Sequence, residues 1–88
     1  MQPLSKLPNI GKELEKRLMK VGINSAEELI SIGSSKAFQL LIALDPTMCI
    51  NSFMALEGAI QGIRWHNLDP AKKQELKEHY NILKMLNK

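Results

Sequence analysis

Helix start and stop signals recur at short intervals along this 88-residue chain, and no segment between them alternates as a half-buried strand would. The first set lies in Leu7–Ile23, "LPNIGKELEKRLMKVGI". Pro8 stiffens the approach, Asn9 tolerates a left-handed turn, and Gly11 lets the chain reverse closely into a helix. Leu14, Leu18 and Val21 then recur at i, i+4 and i+7 on one helical face. Gly22 follows where the helix should stop, because glycine takes positive φ without steric cost.

The signals continue. Ser25 and Glu28 have capping-box spacing, so each side chain can satisfy a backbone N–H of the other. A short helix should follow, with Leu29, Ile30 and Ile32 inward and Gly33 ending it. A third helix should start at Ser34 or Ser35 and run through "KAFQLLIAL" until Asp45-Pro46 stops it. A fourth is expected over Ile50–Arg64, with Phe53, Leu56, Ile60 and Ile63 at helical spacing. A fifth opens at Asp69 as N-cap with Pro70 in the first turn, and Leu76, Tyr80, Leu83 and Leu86 form its inward stripe. Connections are short and no linker is visible. The expectation is one all-α domain over residues 1–88, a compact bundle of about five short helices.

Within the fourth helix, Gly58 and Gly62 lie one turn apart beside Ala55 and Ala59. Two interior glycines cost about 1 kcal/mol each relative to alanine, so close approach of another helix is expected to offset them. Glu57, Gln61 and Arg64 in the same segment exclude a membrane-dimer reading of the spacing.

Composition closes off several function classes. The hydrophobic fraction of 44% and charged fraction of 24% suit a globular domain, while 5% aromatics require a core of Leu, Ile, Met and Ala. No apolar run is long enough to span a bilayer, and "MQPLSKLP" has no signal-peptide pattern. One cysteine, Cys49, excludes an internal disulfide and fits a reducing, cytoplasmic compartment. Its apolar neighbours in "TMCINSF" suggest an inert buried thiol. His66 and His79 lie in no metal-ligand or catalytic motif, so no metal, cofactor or enzymatic activity is expected. His66 reads as a surface or capping residue and His79 as a helix-flank residue. Glu57 should pair with Arg64 or cap a neighbouring helix.

Charge is unevenly placed. Five Lys or Arg face two Glu from Met1 to Asn24, two face five acids from Ser25 to Asp69, and five Lys face two Glu thereafter. Both ends are therefore basic around an acidic middle, a pattern open to a polyanionic partner. The "LPNIG" turn supplies free N–H groups at Gly11, Lys12 and Glu13, an anion site reinforced by the helix dipole. Lys12, Lys16 and Lys20 follow at i, i+4 and i+8 as one basic stripe. The candidate nucleic-acid-binding residues are thus Asn9, Ile10, Gly11, Lys12, Lys16, Arg17 and Lys20. Their partner would be the phosphate backbone of duplex DNA, contacted without sequence preference. Alternatively the domain binds a transcription-regulatory protein through exposed apolar surface around Met48, Met54 or Met85. Its oligomeric state is left open by the sequence.

"LPNIGKELEKRLMKVGI" followed by "NSAEEL" resembles the helix-hairpin-helix class of DNA-binding modules, a SAM-like arrangement whose hairpins typically read Leu-Pro-Gly-Ile-Gly. It departs in carrying Asn9 at the first glycine, in placing Glu13 near the donors, and in having only "MQPLSK" before the turn. Over nearly the whole chain, the order "LPNIG", "VGI", "AEEL", "ALEGAIQGIRW" and "LDPAKKQELK" is similar to the C-terminal domain of TfoX/Sxy-type regulators. That resemblance implies a bacterial, all-helical domain with a role in competence for DNA transformation. It supplies no catalytic or ligand set. Full-length members carry an N-terminal domain with no counterpart here, so the chain reads as an excised domain or a stand-alone relative.

Overall fold

A computed structural model describes residues 1–86. It contains α1 (Lys12–Lys20), α2 (Ala26–Ile32), α3 (Ser34–Leu44), α4 (Ile50–Gln61) and α5 (Pro70–Leu86), with 3₁₀ turns at Leu4–Lys6 and Trp65–Asn67 and no strand among the described residues. The all-α expectation holds. The reason lies in α4, whose "INSFMALEGAIQ" is apolar on most sides and therefore has to be surrounded. It packs between α3 and α5, while α1 and α2 close over α3 from the other side.

Phe38 of α3 stacks on Phe53 of α4 with ring centroids 4.7 Å apart and planes within 3°. Leu4, Leu18, Leu29, Leu41, Ile42 and Leu56 are fully buried around that pair. Each such side chain stabilises the fold by about 1.5–3 kcal/mol relative to exposure. The N-terminal residues are part of this body. Leu4 lies in the core, the Gln2 N–H donates to the Glu27 carboxylate at 3.0 and 3.2 Å, and the Gln2 carbonyl accepts from Ala26 at 2.9 Å.

Helix ends follow the punctuation closely. At the end of α1, Ile23 N–H donates to the Leu18 carbonyl and Gly22 N–H to the Met19 carbonyl, a Schellman stop. At α2, Ser25 Oγ accepts the Glu28 N–H at 3.1 Å as expected. The reciprocal half is displaced by one residue, because the Glu28 carboxylate takes the Asn24 N–H and the Ser25 hydroxyl. The Asp69 carbonyl accepts the first bond of α5, from Lys73.

Four expectations about packing are corrected. α4 ends at Gln61 rather than Arg64, because Gly62 at φ 78° forms a second Schellman stop with Ile63 N–H on the Gly58 carbonyl. Gly62 is thus a terminator, and only Gly58 is an interior glycine. Ile30, expected inward, is 51% exposed, since the seven-residue α2 buries only the side carrying Ala26 and Leu29. Leu86, expected in the inward stripe of α5, is exposed because the end of that helix runs past the core; Leu76 and Leu83 are buried and Tyr80 is half-buried. Met48 and Met54 are core residues, which leaves Met85 as the one exposed methionine of the three.

Candidate nucleic-acid interface

The start of α1 is set by the turn before it. Asn9 is the one non-glycine residue with positive φ among the described residues, at 71°. Asparagine tolerates that region better than other side chains. Its amide then does something the residue-level reading missed. Nδ2–H donates to the Ile63 carbonyl at 2.9 Å and to the Ala55 carbonyl at 3.4 Å, while Oδ1 accepts the Trp65 N–H at 3.2 Å. One side chain thus ties the "LPNIG" turn to the corner where α4 ends.

Gly58 makes room for this lock. A Cβ at that position would stand 2.6 Å from Asn9 Nδ2 and 2.8 Å from the Ile63 carbonyl oxygen, with Trp65 Cα at 3.1 Å. The offset for a mid-helix glycine is therefore the Asn9 amide and the chain's own reversal, not another helix. Two oddities in the sequence, an asparagine where hairpins carry glycine and a glycine inside a helix, explain each other. Read together they were the available signal.

With Asn9 turned inward, the first turn of α1 is left open. Gly11 is the N-cap with no side-chain cap. Among the described residues no acceptor meets the N–H groups of Gly11, Lys12, Glu13 or Leu14. Nearby carboxylates point elsewhere: Glu15 accepts the Ser5 N–H at 3.1 Å, and Glu13 pairs with Arg17 at 3.5 Å. Lys12, Lys16 and Lys20 are all exposed along α1. Ile10 is different, because its side chain is buried in the core and only its backbone faces the turn. Arg17 is also drawn away, donating to Asp45 Oδ2 at 2.8 Å from a half-buried position. Thr47 binds the same carboxylate through its hydroxyl and N–H, and these bonds, with Arg17 beside them, hold the Asp45 carboxyl below its usual range. In place of a first hairpin helix, the residues before Leu7 form the single 3₁₀ turn Leu4–Lys6.

Other expected roles sort out as follows. Glu57 makes no ion pair among the described residues; it accepts the Ser34 hydroxyl at 2.6 Å and the Gln61 amide at 2.7 Å, placing a carboxylate at the start of α3. Arg64 is exposed. His79 is more than a flank residue, since Nδ1 meets Ser35 Oγ at 3.1 Å and the ring lies edge-on to Phe53. His66 stacks on Trp65 with centroids 4.0 Å apart. Cys49 is exposed, against the expectation of burial, because it caps α4 rather than entering it. The Ser52 N–H, with the Asn51 N–H assisting, lowers its thiol pKa. No group of three or more His, Cys, Asp or Glu side chains that could hold a metal ion occurs among the described residues. Nor is any helix among them long and apolar enough to cross a membrane.

Fold and turn together define a small all-helical module whose α1 entry is locked to a glycine-stopped central helix. The chain belongs to the TfoX C-terminal domain family, whose pattern it matches over residues 1–80. That family is regulatory in type and is not known as an enzyme. Two crystal structures from Listeria monocytogenes share the fold. One, of an uncharacterized protein in a triclinic form, is 52% identical over 90% of this chain and 91% of its own, with a TM-score of 0.86. The other, of a protein of unknown function in a tetragonal form, is 52% identical over 90% of this chain and 98% of its own, with a TM-score of 0.88. No curated protein matches the chain.

Proposed function

We propose that this is a regulatory domain acting in the control of competence for DNA transformation, and that it touches the phosphate backbone of duplex DNA through the start of α1. The observation that carries the reading is the open first turn of α1, with its unmet N–H groups, continued by exposed Lys12, Lys16 and Lys20. Backbone donors and the helix dipole favour an anion at that point, and lysines spaced one turn apart extend the same positive face. Asn9 does not obstruct the site, because its amide is spent on Ile63 and Trp65. Ile10 and Arg17 contribute through backbone placement and through the Asp45 pair, not as direct phosphate contacts.

Such binding is weak and salt-dependent. Three lysine contacts correspond to a slope of roughly −2.7 in log K against log salt. Fluorescence anisotropy with a labelled duplex at low salt tests this. The wild type should bind with a slope near that value, and Lys12→Glu/Lys16→Glu/Lys20→Glu should abolish binding. No binding of the wild type at low salt contradicts the reading.

A second reading is a protein-interaction module in a transcription-regulating complex, without DNA contact. It is favoured by Ile82, Met85 and Leu86, which form an exposed apolar stripe at i, i+3 and i+4 on α5. Capture of a regulatory partner that is lost in Ile82→Glu/Met85→Glu but unaffected by the lysine reversals would support it.

A further inference from the structure

The loop joining α4 to α5 carries an aromatic pair that neither the core nor the α1 surface uses up. Trp65 is the chain's one tryptophan; it is half-buried and packs against the core from outside. The exposed His66 ring lies on it, with centroids 4.0 Å apart and planes 27° from parallel. Aromatic pairs more often sit about 4.5–7 Å apart, so this is a close stack. Its order is core, indole, imidazole, and the imidazole nitrogens meet no partner among the described residues. The backbone beneath is fixed residue by residue. Trp65 N–H donates to Asn9 Oδ1 at 3.2 Å, Asn67 N–H to the Arg64 carbonyl at 2.9 Å and Leu68 N–H to the Trp65 carbonyl at 3.1 Å. Lys73 Nζ donates to the His66 carbonyl at 2.9 Å, which fixes an ammonium against the residue that carries the ring.

A rigid aromatic stack with a ring at the surface suits a planar ligand. Charge decides which kind. The segment "RWHNLDPAKK" sets Arg64, Lys72 and Lys73 against the single acid Asp69, so it disfavours a cationic side chain of a partner and favours an aromatic group that carries negative charge. A base joined to its phosphate meets both conditions. We infer that the Trp65–His66 stack is a platform for an unpaired nucleobase, with Lys73 supplying positive charge for the attached phosphate. Bases inside a duplex are already stacked on one another and do not reach it. The platform therefore goes beyond the duplex contact proposed for α1 and does not depend on it. A single strand and a free nucleotide present the same chemistry.

The chain has two histidines, so NMR of the imidazole protons reads the platform and an internal control together. A short oligodeoxyadenylate, the same strand paired with oligothymidylate, and deoxyadenosine monophosphate are titrated in turn. The unpaired strand should move the His66 ring protons upfield, through the ring current of the adenine above them. Those of His79, which is bonded to Ser35, should stay in place. His66→Gln should bind the strand about tenfold more weakly, the effect of losing one base–aromatic stack, and His66→Tyr should restore affinity. Equal shifts from the monophosphate assign the platform to free nucleotides and smaller ones assign it to a strand; either supports it. Unmoved His66 protons at the highest strand concentration, an equal response to the paired strand, or His66→Gln with wild-type affinity overturns it. Duplex binding through the α1 lysines, read by anisotropy, stands or falls separately.

Discussion

At the scale of single residues, the fold turns on Asn9 and Gly58. Neither makes sense alone: an asparagine held at φ 71° is strained, and a glycine inside α4 weakens a helix. Together they let one amide make three bonds in a space with no room for a Cβ. Asn9→Gly keeps the turn but leaves half-buried partners unmet, which should cost about 1–3 kcal/mol. Gly58→Ala should cost a similar amount, about 1–3 kcal/mol, through the clash with Asn9 Nδ2 and the Ile63 carbonyl. In urea unfolding, Asn9→Gly/Gly58→Ala should lose less than the sum of the two, because the clash with the amide is gone. Strict additivity would mean the two positions are not in contact. Cys49 carries a separate expectation. The N–H of Ser52 favours its thiolate, so alkylation should titrate with a midpoint below that of a free cysteine, about 8.5. A midpoint at or above that value would contradict the influence of the Ser52 N–H on the thiol.

At the scale of elements, boundaries and caps were legible because they depend on local chemistry. Gly22, Ser25, Gly33 and Pro70 each act where the chain itself demands a stop or start, and the helices fall between them. Facing was less legible. The periodicity that marked Ile30 and Leu86 as apolar could not say that α2 is too short to bury Ile30, or that α5 outruns the core. Cys49 was misjudged for a related reason: its apolar neighbours Met48 and Ile50 turn inward while the cap residue itself stays at the surface. In the candidate site, the exposed lysines of α1 could be read from their spacing. The bonds from Asn9 to Ile63, Arg17 to Asp45 and Ser34 to Glu57 could not, since each spans more than twenty residues along the chain. Long-range polar pairs have no periodicity to betray them.

At the scale of the whole molecule, charge links stability to surface. Glu27 is held below its usual pKa by its own backbone N–H and that of Gln2, which ties the N-terminal residues to α2. Asp45 is lowered by Thr47 and then by Arg17, which ties α1 to the end of α3. Carboxylates depressed in the folded state stabilise it above their unfolded values, about 4, and lose that contribution as pH falls through the folded ones. The melting temperature should therefore fall in acid. Glu27→Gln/Asp45→Asn should be less stable than the wild type at pH 6 and converge with it towards pH 2. An equal gap at both pH values would mean these bonds do not form. The same body leaves Lys12, Lys16 and Lys20 exposed along α1, and the phosphate contact proposed for that helix is the centre of the functional account. A ¹H–¹⁵N NMR titration of the chain with a short duplex at low salt reads it most directly. Shifts should be confined to residues 9–20 and reversed by added salt. Saturating duplex with no shifts in that segment would contradict it.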